Sequence, residues 1–440
     1  MKIGWRDLRQ RIPGDGLDTA RRRLATLAGA VLLALAALLF AKAGDGAQRL
    51  FASLVSHFPY APLLVTPLVF AGIVWVTRRF APEAKGSGIP QVIAAGRAPG
   101  TPWSNRLVSI RVAVAKFVLT VAMLASGASV GREGPTVQIS AALMVGVHRL
   151  LRVPIRAGVL IAGGAAGVAA AFNTPLAGVA FAIEELAAAY EQKVAVLVMG
   201  AVMIAGLTSL GIAGDYIYFG AMRDTMKLHN LLLAAPLAGI VGGLLGGLFT
   251  RAVLAFGQSA APAIAAMRAR PIAFAAGCGL VVAVLGVVTG GATWGTGYET
   301  TRHLVEGHGG LAWFAPAKLV AALATTLSGA PGGIFAPSLA VGAGVGEVLT
   351  EFFPQSPTGA LVLLGMVGYF TGVVRAPFTA IIIVSETTAS RGMIMPFFLT
   401  ALIADAVSGL VCRERLYHGL SRAFLATAPV ADEESERRTG

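Results

Sequence analysis

A-V-A-K-F-V-L-T-V-A-M-L-A-S-G-A-S-V-G-R-E-G-P, residues Ala113–Pro135, recurs in altered form as A-P-A-K-L-V-A-A-L-A-T-T-L-S-G-A-P-G-G-I-F-A-P, residues Ala315–Pro337. The offset is 202 residues throughout, and ten of the twenty-three positions are identical without a gap. The identities include Lys116 with Lys318, Ser126-Gly127-Ala128 with Ser328-Gly329-Ala330, Gly131 with Gly333 and Pro135 with Pro337. The chain is therefore built from two related halves. Arg132-Glu133 of the first copy are Ile334-Phe335 in the second. A single carboxylate at a pseudo-symmetric point of a duplicated scaffold points to function, because duplication alone gives no reason to place it in one half only.

Apolar residues make up 56% of the 440 and charged residues only 13%, with a mean hydropathy of +0.74. That balance belongs to an all-α polytopic membrane protein. Apolar runs recur at 25–41, 61–76, 107–125, 159–172, 194–212, 231–256, 272–288, 314–327, 360–373 and 393–411. Several are shorter than the roughly 20 residues of a straight crossing, and Gly-rich or Pro-containing breaks interrupt them. Irregular backbone at membrane depth is tolerated only where protein buries it or it lines a watery cavity. Tilted and broken helices at matching places in two halves mark a transport site.

The net charge of +13 does not indicate nucleic acid, because the basic residues sit at the edges of the apolar runs. Lys2, Arg6, Arg9, Arg11 and Arg21 to Arg23 precede the first run, and Arg413, Arg415 and Arg422 follow the last. Basic flanks face the cytoplasm, so both termini are expected there, in a multi-pass protein of the plasma (inner) membrane. The first run has basic residues before it, but no small-residue cleavage site follows before Lys42 and Asp45, and it reads as a retained span. Cys278 and Cys412 lie far apart in apolar surroundings and form neither a disulfide framework nor a metal site. No cofactor is expected. Four segments follow: a basic cytoplasmic lead at 1–23, a first membrane repeat at 24–215, a second at 216–425, and a short cytoplasmic tail at 426–440.

Gly242 with Gly246 and Gly243 with Gly247 are spaced to let helices approach closely in lipid. The G-A-G-V-G run at 342–346 matches a dinucleotide fingerprint by letters alone. It lacks a preceding strand and sits in an apolar helix, so no nucleotide is expected there.

Three Gly/Pro-framed segments carry the chemistry: G-S-G-I-P at 86–90, G-R-E-G-P at 131–135 and G-I-F-A-P at 333–337. Each reads as a loop followed by a helix start, with glycine allowing close backbone approach and proline suited to the first turn. Helix starts expose free N–H groups and the positive end of the dipole, which together attract an anion. Converging near the bilayer centre, they would form an anion site, with the Ser87 hydroxyl as a further donor.

In this order and at these distances the three motifs resemble the signature of the CLC family of chloride channels and chloride/proton antiporters. The repeat and the tyrosine after the last run, Tyr417 in R-E-R-L-Y, strengthen the resemblance, which covers almost the whole chain. It implies an inverted-repeat fold of tilted, often incomplete helices, assembled as a homodimer in lipid with a separate pathway in each subunit. It also implies that Ser87, with Gly88 beside it, and Tyr417 bind a central chloride, while backbone N–H groups around Ile334 and Phe335 complete the shell. Serine at 87 resembles the chloride-selective members, whereas nitrate-preferring relatives tend to carry proline there.

Glu133 is the residue that the repeat singles out. An ionised carboxylate is a tethered anion, able to occupy a chloride position at the helix starts and to leave once protonated. The resemblance implies that it is the gate and the external proton site. Glu184-Glu185 form a second acidic pair inside an apolar run, where carboxylates are usually functional or paired. At the same 202 offset, Pro175 and Glu184 fall on Pro377 and Glu386, whereas Glu185 falls on Thr387. Glu184 and Glu386 therefore read as a structural pair. Glu185 is left as the internal proton acceptor, which agrees with the family's antiporters, where this position is glutamate. Some antiporters carry acidic residues just after G-S-G-I-P. This chain has Gln91, Val92 and Ile93 instead, so its water route to Glu185 is expected to differ.

The expected function is secondary active exchange of chloride for protons, with a passive, proton-gated chloride channel of the same fold as the alternative. A fluoride exporter fits less well, because that branch departs from the G-R-E-G-P and serine/tyrosine pattern retained here. An enzyme is not expected. The six histidines form no H-E-x-x-H, and no acidic metal cluster or nucleophile–base arrangement stands out.

Overall fold

The computed structural model describes residues 14–186, 192–214, 218–220, 222 and 226–429. The lead through Arg11, the tail from residue 430 and the expected boundary between repeats at 215 and 216 lie outside them. Secondary structure among the described residues is helical, apart from one isolated bridge. The first half holds α1 (Gly14–His57), α2 (Pro62–Phe80), α3 (Ile89–Arg97), α4 (Pro102–Leu107), α5 (Ile110–Leu124), α6 (Glu133–Leu150), α7 (Ala157–Phe172), α8 (Pro175–Phe181) and α9 (Gln192–Ala213). The second holds α10 (Leu228–Gln258), α11 (Pro262–Ala269), α12 (Pro271–Val288), α13 (Tyr298–Val305), α14 (Phe314–Leu327), α15 (Phe335–Leu349), α16 (Thr358–Val374), α17 (Pro377–Thr388) and α18 (Ile394–Val411), and α19 (Leu416–Leu425) follows.

The duplication extends to single torsions. Gly127 and Gly329 both turn the chain at φ +76°. Asn173 ends α7 at φ 57°, ψ 40°, and its counterpart Arg375 ends α16 at φ 59°, ψ 41°. Arg132 and Ile334 precede α6 and α15 with φ, ψ of −103°, −12° and −107°, −14°. Gly131 and Gly333, one residue earlier in each copy, pair with each other in an antiparallel bridge. Each N–H donates to the other's carbonyl, at 2.8 and 2.7 Å. An antiparallel bridge between equivalent residues has a local two-fold axis, and such an axis is the relation an inverted repeat requires.

A single offset does not cover the whole chain. α2 and α3 begin at 62 and 89, and their counterparts α12 and α13 at 271 and 298, an offset of 209. The difference of seven residues (209 − 202) is taken up by α4, which has no counterpart between α13 and α14. The shifted register pairs Gly86-Ser87-Gly88 with Gly295-Thr296-Gly297, and Gly88 and Gly297 are both left-handed, at φ 104° and 82°.

Seven helical stretches are long and apolar enough to cross a membrane, and α7, α14, α15 and α16 are shorter apolar helices. Two of the short ones, α7 and α16, are enclosed by the rest of the protein: in each, every residue except the first is buried. Glycine permits the packing. A Cβ at Gly243 would lie 2.6 Å from the Ala404 carbonyl, and Gly242 and Gly246 press directly against the backbone of Gly368 and Gly372. The 342–346 run does the same between α15 and α16, where a Cβ at Gly342 would lie 2.6 Å from Gly365 O. Its glycines are packing residues. Cys278 is buried and Cys412 partly buried, and neither forms a disulfide.

Candidate functional site

The three motifs meet at the Gly131–Gly333 bridge. Gly332 N–H donates to Gly86 O at 3.0 Å, which ties the G-S-G-I-P loop to the G-I-F-A-P loop. Gly88 lies so close to α6 that a Cβ would come within 2.9 Å of Gln138 Cβ and 3.0 Å of Gly134 O. Ser87 Oγ rests against Gly134, the residue after Glu133. α3, α6 and α15 therefore begin around one point.

Glu133 is fully buried at that point. Its Oε2 lies 3.4 Å from the backbone N–H of Ala336, in the first turn of α15, and against Gly131, where a Cβ would collide with it. A carboxylate from the first half thus sits on the helix start of the second. It does not pair with Arg132. That guanidinium donates to Asp45 Oδ1 at 2.6 Å, Ala41 O at 2.8 Å and the Tyr218 hydroxyl at 3.3 Å. Glu133 Oε1 has no hydrogen-bond partner among the described residues.

Tyr417 follows the last long apolar helix, a usual place for an interfacial tyrosine, yet it is fully buried. α19 folds back against α3 and brings the Tyr417 ring to 6.0 Å from the ring of Phe335. The hydroxyls of Ser87 and Tyr417 are neighbours, but each lacks well-formed hydrogen-bond geometry with any described residue. Phe335 is locked among aromatic rings, with Phe370 at 4.9 Å and Phe181 at 5.8 Å between centroids. Ile334 is buried beside it. Ser87, Gly88, Glu133, Ile334, Phe335 and Tyr417, scattered over the sequence, form one cluster.

The second acidic pair divides as the repeat suggests. Glu184 reaches the start of α17, accepting from Phe378 N–H at 2.9 Å and from the Thr379 N–H and hydroxyl at 2.6 Å each. Glu386 reaches the start of α8 and accepts from Ala177 N–H at 3.1 Å. The two glutamates do not touch each other; each caps the other half's helix, which satisfies orphan N–H groups and complements the dipole. Glu185, in a single π-helical turn at Ala182–Leu186, is buried. Such turns often sit at functional sites. Its oxygens accept no hydrogen bond among the described residues, and His418 Nδ1 lies 3.2 Å from Oε1.

Three features have no role that the sequence pattern alone assigns: His418 beside Tyr417, Asp45 after the first apolar run, and the repeated Lys116 and Lys318. Both lysines are fully buried. Lys116 Nζ holds Gly86 O at 2.7 Å, and Lys318 Nζ holds Thr293 O and Gly295 O at 2.9 Å each. An ammonium needs such acceptors when buried, and each lysine fixes the loop before a repeat-related helix. A lysine kept in both copies of an apolar run was the available signal.

Beyond Arg132 lies a cavity of about 1070 Å³, lined in part by Lys42, Asp45, Gln48, Arg49, Arg132 and Glu299. Its basic side chains outnumber its acidic ones three to two, a balance that favours an entering anion.

Residues 68–409 match the voltage gated chloride channel family, and the chain belongs to that family, the CLC proteins. Its helical fold is theirs. A slow cyanobacterial Cl−/H+ antiporter superposes with a TM-score of 0.78 at 24% identity, covering 92% of this chain and 98% of the other. A eukaryotic CLC transporter gives 0.74 at 20% identity, over 92% of this chain and 74% of that one. A CLC-type fluoride/proton antiporter gives 0.75 at 22%, over 91% and 98%.

Proposed function

We propose that the protein exchanges chloride for protons across the plasma membrane, as a multi-pass homodimer with both termini cytoplasmic and one pathway per subunit. The observation that carries this reading is the buried Glu133 carboxylate on the Ala336 N–H, at the helix start that the repeat leaves to Phe335 in the other half. An anion fixed to the chain there competes with a free anion for the same positive helix end. Protonation removes the charge, weakens the hold of the N–H, and frees the place for chloride. Release of the proton restores the plug. While Glu133 is protonated and displaced, chloride moves between the cavity beside Arg132 and the Ser87 and Tyr417 hydroxyls, with the N–H groups at Ile334 and Phe335 completing its shell. Glu185 takes up the proton from inside, and Glu133 passes it outside.

The test is flux in proteoliposomes under opposed chloride and proton gradients. A chloride gradient should drive protons uphill, Glu133→Gln should abolish proton movement while chloride still passes, and Glu185→Gln should also stop the protons. A wild type in which chloride moves but neither gradient drives the other is a passive channel, and the exchange reading then fails.

A further inference from the structure

We infer that His418 carries protons between the cytoplasmic water and Glu185. The inference rests on the exchange reading above and supplies a step that it lacks. The Glu185 side chain is 0% exposed, so its carboxylate cannot take a proton directly from bulk water. The imidazole of His418 has its Nδ1 3.2 Å from Glu185 Oε1, while 36% of the side chain is exposed. One ring therefore spans the distance from a sealed carboxylate to solvent.

No other described group near Glu185 is suited to the task. The ionisable neighbours acting on it are His418, Arg415 and Glu184, and Tyr417 faces it as well. Arg415 donates to Glu184 O at 3.3 Å, and a guanidinium does not give up its proton in proteins. Glu184 is committed to the start of α17. Tyr417 is fully buried and turned to the anion site. From α3, Gln91 is buried with its amide donating to Glu83 O at 2.9 Å and Lys85 O at 2.7 Å, and Ile93 lies in the apolar core. Glu414, the acid nearest on the chain, pairs with Arg422 at 2.9 Å.

Successive residues of an α-helix point about 100° apart. α19 therefore presents Tyr417 to the anion cluster and His418 to the proton acceptor. An imidazole can both accept and donate a proton through its two ring nitrogens, which is the chemistry a relay needs. In the inward-loading step, water delivers a proton to Nε2 of a ring that carries its hydrogen on Nδ1. The imidazolium passes the Nδ1 proton to Glu185 Oε1, leaving a neutral carboxyl and a neutral ring with hydrogen on Nε2. The ring resets by exchange with water: it swings out about Cα–Cβ, Nε2 gives its proton to water, Nδ1 takes one from water, and the ring returns with its N–H toward Glu185. The reverse sequence unloads the site.

The experiment compares wild type, His418→Ala and His418→Gln in proteoliposomes oriented with the C-terminal side accessible, recording proton and chloride fluxes separately. Chloride-driven proton flux should fall at least about tenfold in both variants, in line with removal of a positioned proton donor. Millimolar imidazole on the C-terminal side should restore it in His418→Ala, a rescue that a packing defect would not show. Unchanged proton flux in the folded variants, or a loss that imidazole does not repair, overturns the assignment. If His418→Ala fails to fold, the glutamine variant alone decides: wild-type proton flux overturns the relay, and a tenfold loss with unchanged thermal stability supports it. Absence of proton flux in the wild type refutes the exchange reading itself and the relay with it; a variant effect cannot be mistaken for that result.

Discussion

Glu184 and Glu185 are adjacent carboxylates in one turn, and they should separate cleanly into a stability residue and a transport residue. Glu184→Ala removes three acceptor contacts at the start of α17, to Phe378 N–H, Thr379 N–H and the Thr379 hydroxyl, at 2.9, 2.6 and 2.6 Å. A hydrogen bond to a charged group contributes about 1.5–3 kcal/mol, but Glu184 is only half-buried, and water replaces part of each loss. About 1 kcal/mol per contact gives a total of about 2–4 kcal/mol, more than the roughly 0.5–2 kcal/mol of a single lost N-cap because three donors lose their acceptor. Its partner Glu386 makes one such bond, to Ala177 N–H at 3.1 Å, so Glu386→Ala should cost about 1 kcal/mol. The assay is unfolding of the detergent-purified protein by heat or by added SDS, with flux measured on the same preparations. The expected order of destabilisation is Glu184→Ala, then Glu386→Ala, then Glu185→Gln near wild type. The expected order of lost proton coupling is the reverse, with Glu185→Gln alone abolishing it. A Glu184→Ala protein of wild-type stability that no longer moves protons would refute the division of roles.

The interrepeat bridge gives a second prediction. Gly333→Ala places a Cβ 2.9 Å from Gly131 O and 3.0 Å from Pro135 Cδ, so the two bridge bonds should be lost at a cost of about 2–4 kcal/mol. Gly329→Ala, where a Cβ meets nothing within 4 Å but φ is +76°, should cost only the left-handed strain of about 1–2 kcal/mol; equal melting temperatures for the two variants would contradict this. The hydroxyls give a third: Ser87→Ala and Tyr417→Phe should each weaken chloride binding by about 0.5–1.5 kcal/mol, read by titration calorimetry, and unchanged affinity in both would remove them from the chloride shell.

The repeat made the second half of each copy legible, because α5 to α9 and α14 to α18 keep one spacing and their turns keep their glycines. It did not reveal that α3 and α13 are also equivalent, since α4 shifts the register by seven residues and only the glycines of G-S-G and G-T-G survive the shift. Glu133 was legible as an asymmetry within the aligned copies. Its acceptor contact with Ala336 was not, because it joins residues 203 apart in sequence. Glu184 was legible as one of a pair, but reciprocal capping is a three-dimensional relation that spacing does not encode. His418 was not legible because its chemistry comes from the fold: one turn of α19 faces two sites, a relation that adjacency to Tyr417 in sequence does not encode.

The inverted scaffold offers two of everything, and single side chains decide which copy is used. Two buried lysines hold two Gly-x-Gly loops at two helix starts. In the second loop, Thr296 donates through its N–H and its hydroxyl to Gln48 Oε1, at 3.1 and 3.4 Å, and the hydroxyl accepts from Tyr298 N–H at 3.3 Å. A neutral amide oxygen from α1 thus takes the donors that an anion would use. In the first loop no such side chain serves Ser87 among the described residues. Thr387, the counterpart of Glu185, turns its hydroxyl back to Ile383 O at 2.6 Å and closes on its own helix. Phe335, the counterpart of Glu133, is held by its ring neighbours. At each of these three pairs the second copy is satisfied internally, and the first carries the group with unmet polar valence. Unmet valence in a buried group costs stability, and at these three pairs the unsatisfied first-copy groups are the ones that the proposed chloride and proton sites would supply with a ligand.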